Sequence, residues 1–158
     1  MYRTLKQIDW TKIEQEVLED WKKNKTFEKS VEEKPKDKNF IFYEGPPSAN
    51  GMPGIHHVMS RAIKDLFCRY KSLSGYRVER KGGWDTHGLP IELQVEKRLK
   101  INKEDIGKKI SVEDYNKECR KDVLEFKDKW DDLTNKMGYW VDLNNPYITY
   151  ENSYIETL

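Results

Sequence analysis

Two adjacent histidines are the residues whose type and position most directly suggest chemistry in this chain. They are His56 and His57, two of only three histidines among 158 residues, and they follow the loop "EGPPSANGMPG", residues 44–54. The three prolines and three glycines of that loop exclude regular structure. The pattern after it is helical, and the first turn of a helix offers unpaired N–H groups and a positive dipole end. The histidines therefore lie where a phosphate group would bind well.

The two common nucleotide-binding patterns are absent from this loop. It contains neither GxxxxGK[ST] nor GxGxxG. A histidine in a first helical turn is disfavoured as a cation, but it can still donate hydrogen bonds to phosphate or ribose oxygens. The alternative is that both histidines are ordinary surface or capping residues.

A second loop, "KGGWDTHGLP" at residues 81–90, presents a carboxylate. Asp85, held at the edge of a sheet, would suit an ammonium group on a small ligand. The alternative is that Asp85 caps the helix that begins near Pro90, although it lies far upstream for that role. His87 could orient Asp85, bind a ligand or pack, and the sequence does not rank these three.

The elements around the loops predict how they are positioned. "FIFY", residues 40–43, is an apolar run typical of a buried strand, and "YRVER", residues 76–80, alternates as a second strand. Helical patterns start at Ile55 and at Pro90. The alternation of strand, loop and helix predicts an α/β fold with a parallel sheet, and both loops follow strands. We expect them to meet at the carboxyl edge of the sheet, where ligands bind in such folds.

On either side of residues 40–99 the sequence patterns are mainly helical. Residues 9–25 read as a helix capped by Asp9, followed by a charged, exposed linker at residues 29–39. One apolar stripe predicts a single helix from Val112 to Met137, with Ser111 at its N-cap. The last residues, "YENSYIETL", look like a helix that starts and is cut off.

Composition narrows the class of protein. The net charge of +1 argues against a protein that wraps nucleic acid. No run approaches the roughly 20 apolar residues of a membrane span, and the N-terminus lacks a signal-peptide core, which predicts a soluble, cytoplasmic protein without membrane partners. Cys68 and Cys119 stand alone, so we expect reduced thiols; the spacing supports neither a zinc site nor a disulfide framework.

Longer motifs add a family resemblance. "GPPSANGMPGIHH" and "IKDLFCRYKSLSGYRVERKGGWDTHGLPIELQVEK" resemble the N-terminal half of the catalytic domain of isoleucyl-tRNA synthetases, which are class I aminoacyl-tRNA synthetases. The resemblance is clearest over residues 40–154. It implies a partial Rossmann-like parallel sheet with flanking helices and an N-terminal helical extension. Residues 1–39 would be the extension and linker, and residues 40–158 the first half of the nucleotide-binding domain, ending before the editing insertion.

The resemblance also implies an ATP site at the helix start. The class I signature, His-Ile-Gly-His, aligns with residues 54–57, so Gly54, His56 and His57 match ATP-binding positions. His57 matches the second signature histidine. His56 stands where the signature has glycine, and Gly54 where it has the first histidine. We hypothesise that His56 supplies the phosphate contact of that missing histidine, which makes His56 and His57 the candidate catalytic residues.

The amino-acid site is implied in the same way. Gly45 and Pro46 match the wall of the amino-acid pocket, and Asp85 matches the carboxylate that receives the substrate's α-amino group. The implied reaction joins isoleucine and ATP, with Mg²⁺ on the phosphates, to isoleucyl-adenylate and then transfers the acyl group to tRNA(Ile). We expect a monomeric full enzyme.

The same resemblance predicts that the chain is a fragment. No KMSKS sequence occurs, and an editing domain and an anticodon-binding domain are expected beyond residue 158. Alone, the chain is expected to be a binding module with weak affinity for ATP or adenylate and no useful turnover. A third interpretation, a helical interaction domain built on residues 112–137, leaves both loops unexplained.

Overall fold

Three parallel strands form the sheet on which the loops are mounted. The structure is a computed structural model, and it describes residues 8–158. The strands are β1 (Asn39–Tyr43), β2 (Arg77–Trp84) and β3 (Asp142–Ile148), in the order β1-β2-β3. Helix α3 (Ile55–Leu73) connects β1 to β2, and α4 (Leu89–Leu99) follows β2. The predicted α/β class, with a parallel sheet and flanking helices, is confirmed.

Strand β1 lies at an edge of this sheet. Within residues 8–158 it pairs with β2 alone, in a register that places Phe40 opposite Val78. The prediction that β1 is buried is wrong, because Ile41 and Tyr43 point to an uncovered face and are 65% and 60% exposed. A short apolar run does not distinguish an edge strand from a central one.

Strand β2 is the central strand and is longer than predicted. It continues to Trp84, so the second loop begins at Asp85 and not at residue 81. Gly82 and Gly83 are part of the strand, and β3 approaches both of them closely. A Cβ atom on Gly83 would lie 2.3 Å from the Tyr147 ring, so no larger residue fits there.

Two helices, α1 (Trp10–Asn24) and α2 (Thr26–Glu32), precede the sheet. The predicted cap of α1 is confirmed, since Asp9 accepts a hydrogen bond from the Lys12 N–H at 3.2 Å. The linker prediction is wrong for residues 29–32, which belong to α2, and for Asn39, which begins β1. Trp21 and Phe27 pack against Trp140, with ring centres 5.0 Å and 6.1 Å away. The domain boundary after residue 39 stays a prediction. The first seven residues of the predicted N-terminal extension lie outside the part of the chain that the structure describes.

The predicted long helix is two helices, α5 (Val112–Asp122) and α6 (Lys127–Lys136). Its N-cap is confirmed, because Ser111 accepts a hydrogen bond from the Asp114 N–H at 3.0 Å. The single-helix prediction is wrong because the Phe126 N–H bonds to the Ala49 carbonyl at 2.9 Å, and not within a helix. The two parts also enter different clusters: Val123 packs with Ile91 and Val95, whereas Trp130 packs with Trp84 and Ala49.

Helix α3 presents its apolar stripe to the outside. The buried residues of this helix are Arg61, Cys68 and Ser72. The apolar residues of α3 that are more than half exposed include Ile55, Met59, Ile63, Leu66, Phe67 and Tyr70. The last segment contains a short helix, α7 (Asn152–Ile155). Across residues 8–158, none of the helices has both the length and the apolar character that crossing a membrane would require.

Candidate functional site

The two predicted loops meet at the carboxyl edge of the sheet, as expected. The Asp85 N–H donates to the Pro47 carbonyl at 3.0 Å, and the Ser48 hydroxyl donates to an Asp85 carboxylate oxygen at 3.4 Å. The other carboxylate oxygen accepts from the His87 N–H at 3.3 Å. Asp85 does not cap α4, whose N-cap is Gly88, so that alternative is wrong. The carboxylate is half-buried between the loops, and His87 is exposed beside it.

The helix start holds His57 in one orientation. The N-cap residue Gly54 donates its N–H to His57 Nδ1 at 2.9 Å. That bond uses the Nδ1 lone pair, so in the neutral ring the proton is on Nε2. Burial lowers the pKa of His57, and the neighbouring His56 and Arg61 lower it further. His57 is therefore a neutral hydrogen-bond donor at neutral pH.

His56 is exposed and lies against both of its signature neighbours. Its ring centre is 3.8 Å from that of His57. A Cβ atom added to Gly54 would lie 2.9 Å from Cε1 of His56. The imidazole of His56 thus occupies space that a side chain at position 54 would need.

A cavity of about 480 Å³ opens between the first loop and α3. Gly45, Pro46 and His57 line it, and so does Ser48, the partner of Asp85. Gly54, His56 and Asp85 are not part of its lining, but Gly54 and His56 contact His57, and Asp85 contacts Ser48. The structure therefore brings the predicted residues to the carboxyl edge of the sheet. They form one group at the start of α3 and one around Asp85, and the first loop joins the two groups.

The cavity residues that the sequence did not predict include three large side chains from α3 and α6. Arg61 is buried and donates to the Thr134 hydroxyl at 2.7 Å, and its guanidinium lies 4.9 Å from the Trp130 ring centre. Trp130 also donates its indole N–H to the Gly51 carbonyl at 2.8 Å and contacts the His57 ring edge-on at 4.6 Å. Lys64 completes the set. The basic residues recur on one face of α3, a spacing that could have been noticed.

Glu44 fixes the first loop where it leaves β1. Its carboxylate, 3% exposed, accepts hydrogen bonds from Lys64 and from the Tyr139 hydroxyl. Its carbonyl accepts from the Tyr147 hydroxyl. Burial and the adjacent Glu44 carboxylate raise the pKa of Tyr139, so this phenol stays protonated. A lone acidic residue directly after an apolar strand was the signal available in the sequence.

No metal-binding cluster accompanies the site. Within residues 8–158 no group of three or more His, Cys, Asp or Glu side chains is arranged to hold a metal ion. The two cysteines in that range are free; Cys68 is buried and Cys119 partly so. What the edge offers is hydrogen-bond donors, a carboxylate and a cavity.

Fold and sequence together define a class. Residues 16–158 match the family described as tRNA synthetases class I (I, L, M and V), and the chain belongs to that family. A LeuRS from Agrobacterium radiobacter K84, solved as a ternary complex with tRNA and LeuAMS, has the same fold, with a TM-score of 0.64 and 20% identity over 94% of this chain and 17% of that one.

Within the class, the similar curated proteins are isoleucine–tRNA ligases. The chain is 64% identical to that of Porphyromonas gingivalis over 96% of its length, 63% to that of Bacteroides thetaiotaomicron, also over 96%, and 61% to that of Cytophaga hutchinsonii over 97%. It spans 13% to 14% of the length of these relatives.

Proposed function

We propose that this chain is the part of an isoleucine–tRNA ligase that binds ATP and isoleucine for adenylate formation. The observation that carries the proposal is the meeting of Asp85, the first loop and the start of α3 at one sheet edge. Its relatives named isoleucine–tRNA ligase support the choice of amino acid. The complete enzyme would use ATP with Mg²⁺, act on tRNA(Ile) as a monomer, and work in the cytoplasm.

The proposed amino-acid site lies around Asp85. Its carboxylate would accept the α-ammonium group of isoleucine, and Gly45 and Pro46 would form the wall against the side chain. The Ser48 and His87 contacts hold Asp85 in place before the ligand arrives. A carboxylate fixed in this way loses little conformational freedom on binding.

The proposed ATP site lies at the start of α3. His57 would donate from Nε2 to a ribose or phosphate oxygen, because its Nδ1 is occupied by the Gly54 N–H. Gly54 leaves the backbone open, and His56, whose ring fills the space beside Gly54, would contact phosphate in place of a histidine at position 54. The isoleucine carboxylate itself attacks the α-phosphate, so the protein needs only to position the reactants and stabilise developing charge.

Calorimetric binding of a non-hydrolysable isoleucyl-adenylate analogue tests the amino-acid site. Asp85→Asn keeps the size of the side chain but removes its charge, and a charged hydrogen bond contributes about 1.5–3 kcal/mol, so affinity should fall ~10- to 150-fold. Asp37→Asn, at an exposed position, is the matched control. Equal affinities of the two variants would rule out the role of Asp85.

Turnover is a separate question from binding. We propose that the chain alone binds ATP or adenylate weakly and has no useful turnover, because it spans 13% of its first relatives. ATP–pyrophosphate exchange with isoleucine measures this, and robust exchange by the 158 residues would contradict it. In the complete enzyme, His56→Gly should slow adenylate formation; an unchanged rate would refute the role of His56.

A further inference from the structure

One side chain joins the elements that carry the candidate functional residues. Trp130, in α6, is 2% exposed and packs in one cluster with Ala49 of the first loop and with Trp84, the last residue of β2. Its ring also contacts the ring of His57 at the start of α3. Trp84 directly precedes Asp85 in the chain. The first loop, the end of β2 and the start of α3 therefore share a neighbour that comes from a distant part of the sequence.

The indole of Trp130 is itself held in place. Its N–H donates to the Gly51 carbonyl at 2.8 Å, which ties the ring to the first loop. The Arg61 guanidinium lies 4.9 Å from the ring centre, and Arg61 donates to the Thr134 hydroxyl at 2.7 Å. That hydroxyl donates in turn to the Trp130 carbonyl at 2.7 Å. A hydrogen bond, a cation–π contact and close packing thus leave the ring little freedom.

His57 meets this fixed ring edge-on. The two ring centres are 4.6 Å apart, and the ring planes are inclined by 64°. His57 also contacts the ring of His56 at 3.8 Å, but His56 is exposed, so its ring is less restrained than a buried one. Aromatic pairs have preferred geometries, which makes a fixed ring a restraint on its neighbour. Of these two contacts, the one with Trp130 is the firmer.

We infer that Trp130 is a positioning residue for adenylate formation, which orients the His57 ring and holds the first loop against α3. With its ring restricted, His57 keeps Nδ1 on the Gly54 N–H, 2.9 Å away, and its Nε2 donor in one direction. His57 and Trp130 both line the cavity between the first loop and α3. Trp130 acts through His57 and the loop, and not on the reacting atoms. The inference rests on the proposed function, since His57 binds ATP there.

The benefit of this arrangement is a donor whose direction is set before ATP binds. A donor that is already oriented loses little conformational freedom on binding, and it stabilises developing charge without reorganisation. A displacement of about 1 Å that originates far from the chemistry can lower a rate about 100-fold. Loss of the Trp130 ring should therefore lower kcat more than it changes the KM for ATP, because orientation matters most in the transition state.

Hydrogen exchange at the Gly54 amide measures the restraint in the 158-residue chain without any ligand. Trp130→Leu removes the ring beside His57, and the Gly54 N–H should exchange ~2- to 12-fold faster, which corresponds to the contribution of one aromatic pair. Trp130→Phe keeps a ring there, so the Gly54 rate should change less. The amides of residues 62–68 in α3 are the internal reference, because a general loss of stability would speed their exchange as well. A Gly54 rate that changes no more than theirs would overturn the inference.

ATP–pyrophosphate exchange in the complete enzyme measures the effect on adenylate formation. Trp130→Leu should lower kcat about 10- to 100-fold, with a smaller change in the KM for ATP. Trp130→Phe is the conservative variant; it loses the hydrogen bond to Gly51 but keeps the ring, and kcat should fall only ~2- to 12-fold.

Trp140→Leu is the matched control for these rates. It also removes a partly buried indole beside an arginine, since Trp140 lies 3.7 Å from the Arg69 guanidinium, but Trp140 does not line the cavity. It should lower the melting temperature and leave kcat unchanged. Equal losses of kcat in Trp130→Leu and Trp140→Leu, or an unchanged kcat in Trp130→Phe, would refute the positioning role.

The inference and the proposed function can fail independently. If Asp85→Asn weakens binding of the adenylate analogue but the Trp130 variants keep the original Gly54 exchange rate and kcat, the proposed function stands and the positioning role does not. If Trp130→Leu speeds exchange at Gly54 but Asp85→Asn leaves the affinity unchanged, the orientation of His57 by Trp130 stands and the proposed amino-acid site falls.

Discussion

Removal of one buried hydroxyl should destabilise the chain measurably. Thr134 is 2% exposed, and its hydroxyl is the hydrogen-bond partner of Arg61, which is itself buried. Thr134→Val keeps the shape of the side chain but leaves a buried guanidinium donor without an acceptor. A hydrogen bond to a charged group contributes about 1.5–3 kcal/mol, so we expect a loss of about 2 kcal/mol in the free energy of unfolding.

The loss in the free energy of unfolding can be measured by two methods. In a chain of 158 residues, 1 kcal/mol shifts the melting temperature by roughly 2–4 °C, so thermal unfolding should move down by about 4–8 °C. Urea unfolding gives the same free energy from the midpoint. Thr11→Val, an exposed position in α1, makes the same chemical change and should be nearly neutral.

A double-mutant cycle with Arg61→Met decides whether the two side chains act together. If the hydrogen bond carries the effect, the second substitution should cost less once Thr134 is already valine, with a coupling of at least ~1 kcal/mol. Strictly additive effects, or a Thr134→Val loss equal to that of Thr11→Val, would refute the reasoning.

The remaining predictions concern titration and close packing. The pKa of His57, followed by NMR, should lie below the ordinary histidine value of about 6.5. The stability that neutral His57 contributes is therefore present above about pH 6.5 and is lost as the pH falls through the lower pKa of the folded state. A measured pKa at or above about 6.5 would contradict this. Burial raises the pKa of Tyr147 to about 12, so stability should fall as pH rises from about 10 through 12. Tyr147→Phe should reduce that loss, and the part that comes from Tyr139, whose pKa is also raised, should remain. Gly83→Ala should lower the free energy of unfolding by about 1–3 kcal/mol, because the new methyl group would overlap the Tyr147 ring. Gly51→Ala is the control, since a methyl group there contacts no other atom. Similar melting temperatures of the two variants would contradict the close packing at Gly83.

Local signals made the helices and the loops predictable. Asp9 and Ser111 cap the helices that follow them, and the Pro- and Gly-rich loop before His56 has no regular structure. The expectation that both loops meet at one edge followed from the fact that the carboxyl ends of parallel strands lie at the same edge of a sheet. These features depend on residues close together in the sequence, which is why one sequence sufficed.

Features that depend on distant partners were not predictable. Strand β3 has the sequence "DLNNPYI". Its polar residues and proline are not typical of a strand, and it becomes recognisable as one only through its pairing with β2. The break between α5 and α6 depends on the Ala49 carbonyl, far back in the chain. Glu44 and Arg61 were missed for the same reason, since Tyr139 and Thr134, their partners, lie many residues away. The catalytic roles of His56 and His57 and the amino-acid-binding role of Asp85 remain predictions.

The packing of Trp140 sets an order of events during synthesis of the chain. Trp21 and Phe27 emerge from the ribosome early, but the ring they pack against is made more than a hundred residues later. Helices α1 and α2 therefore have no tertiary partner at Trp140 while β1, α3 and β2 are being made. Short helices without such contacts are marginal in water. Packing of the N-terminal helices around Trp140 should therefore be a late step, completed when the residues just before β3 have left the ribosome.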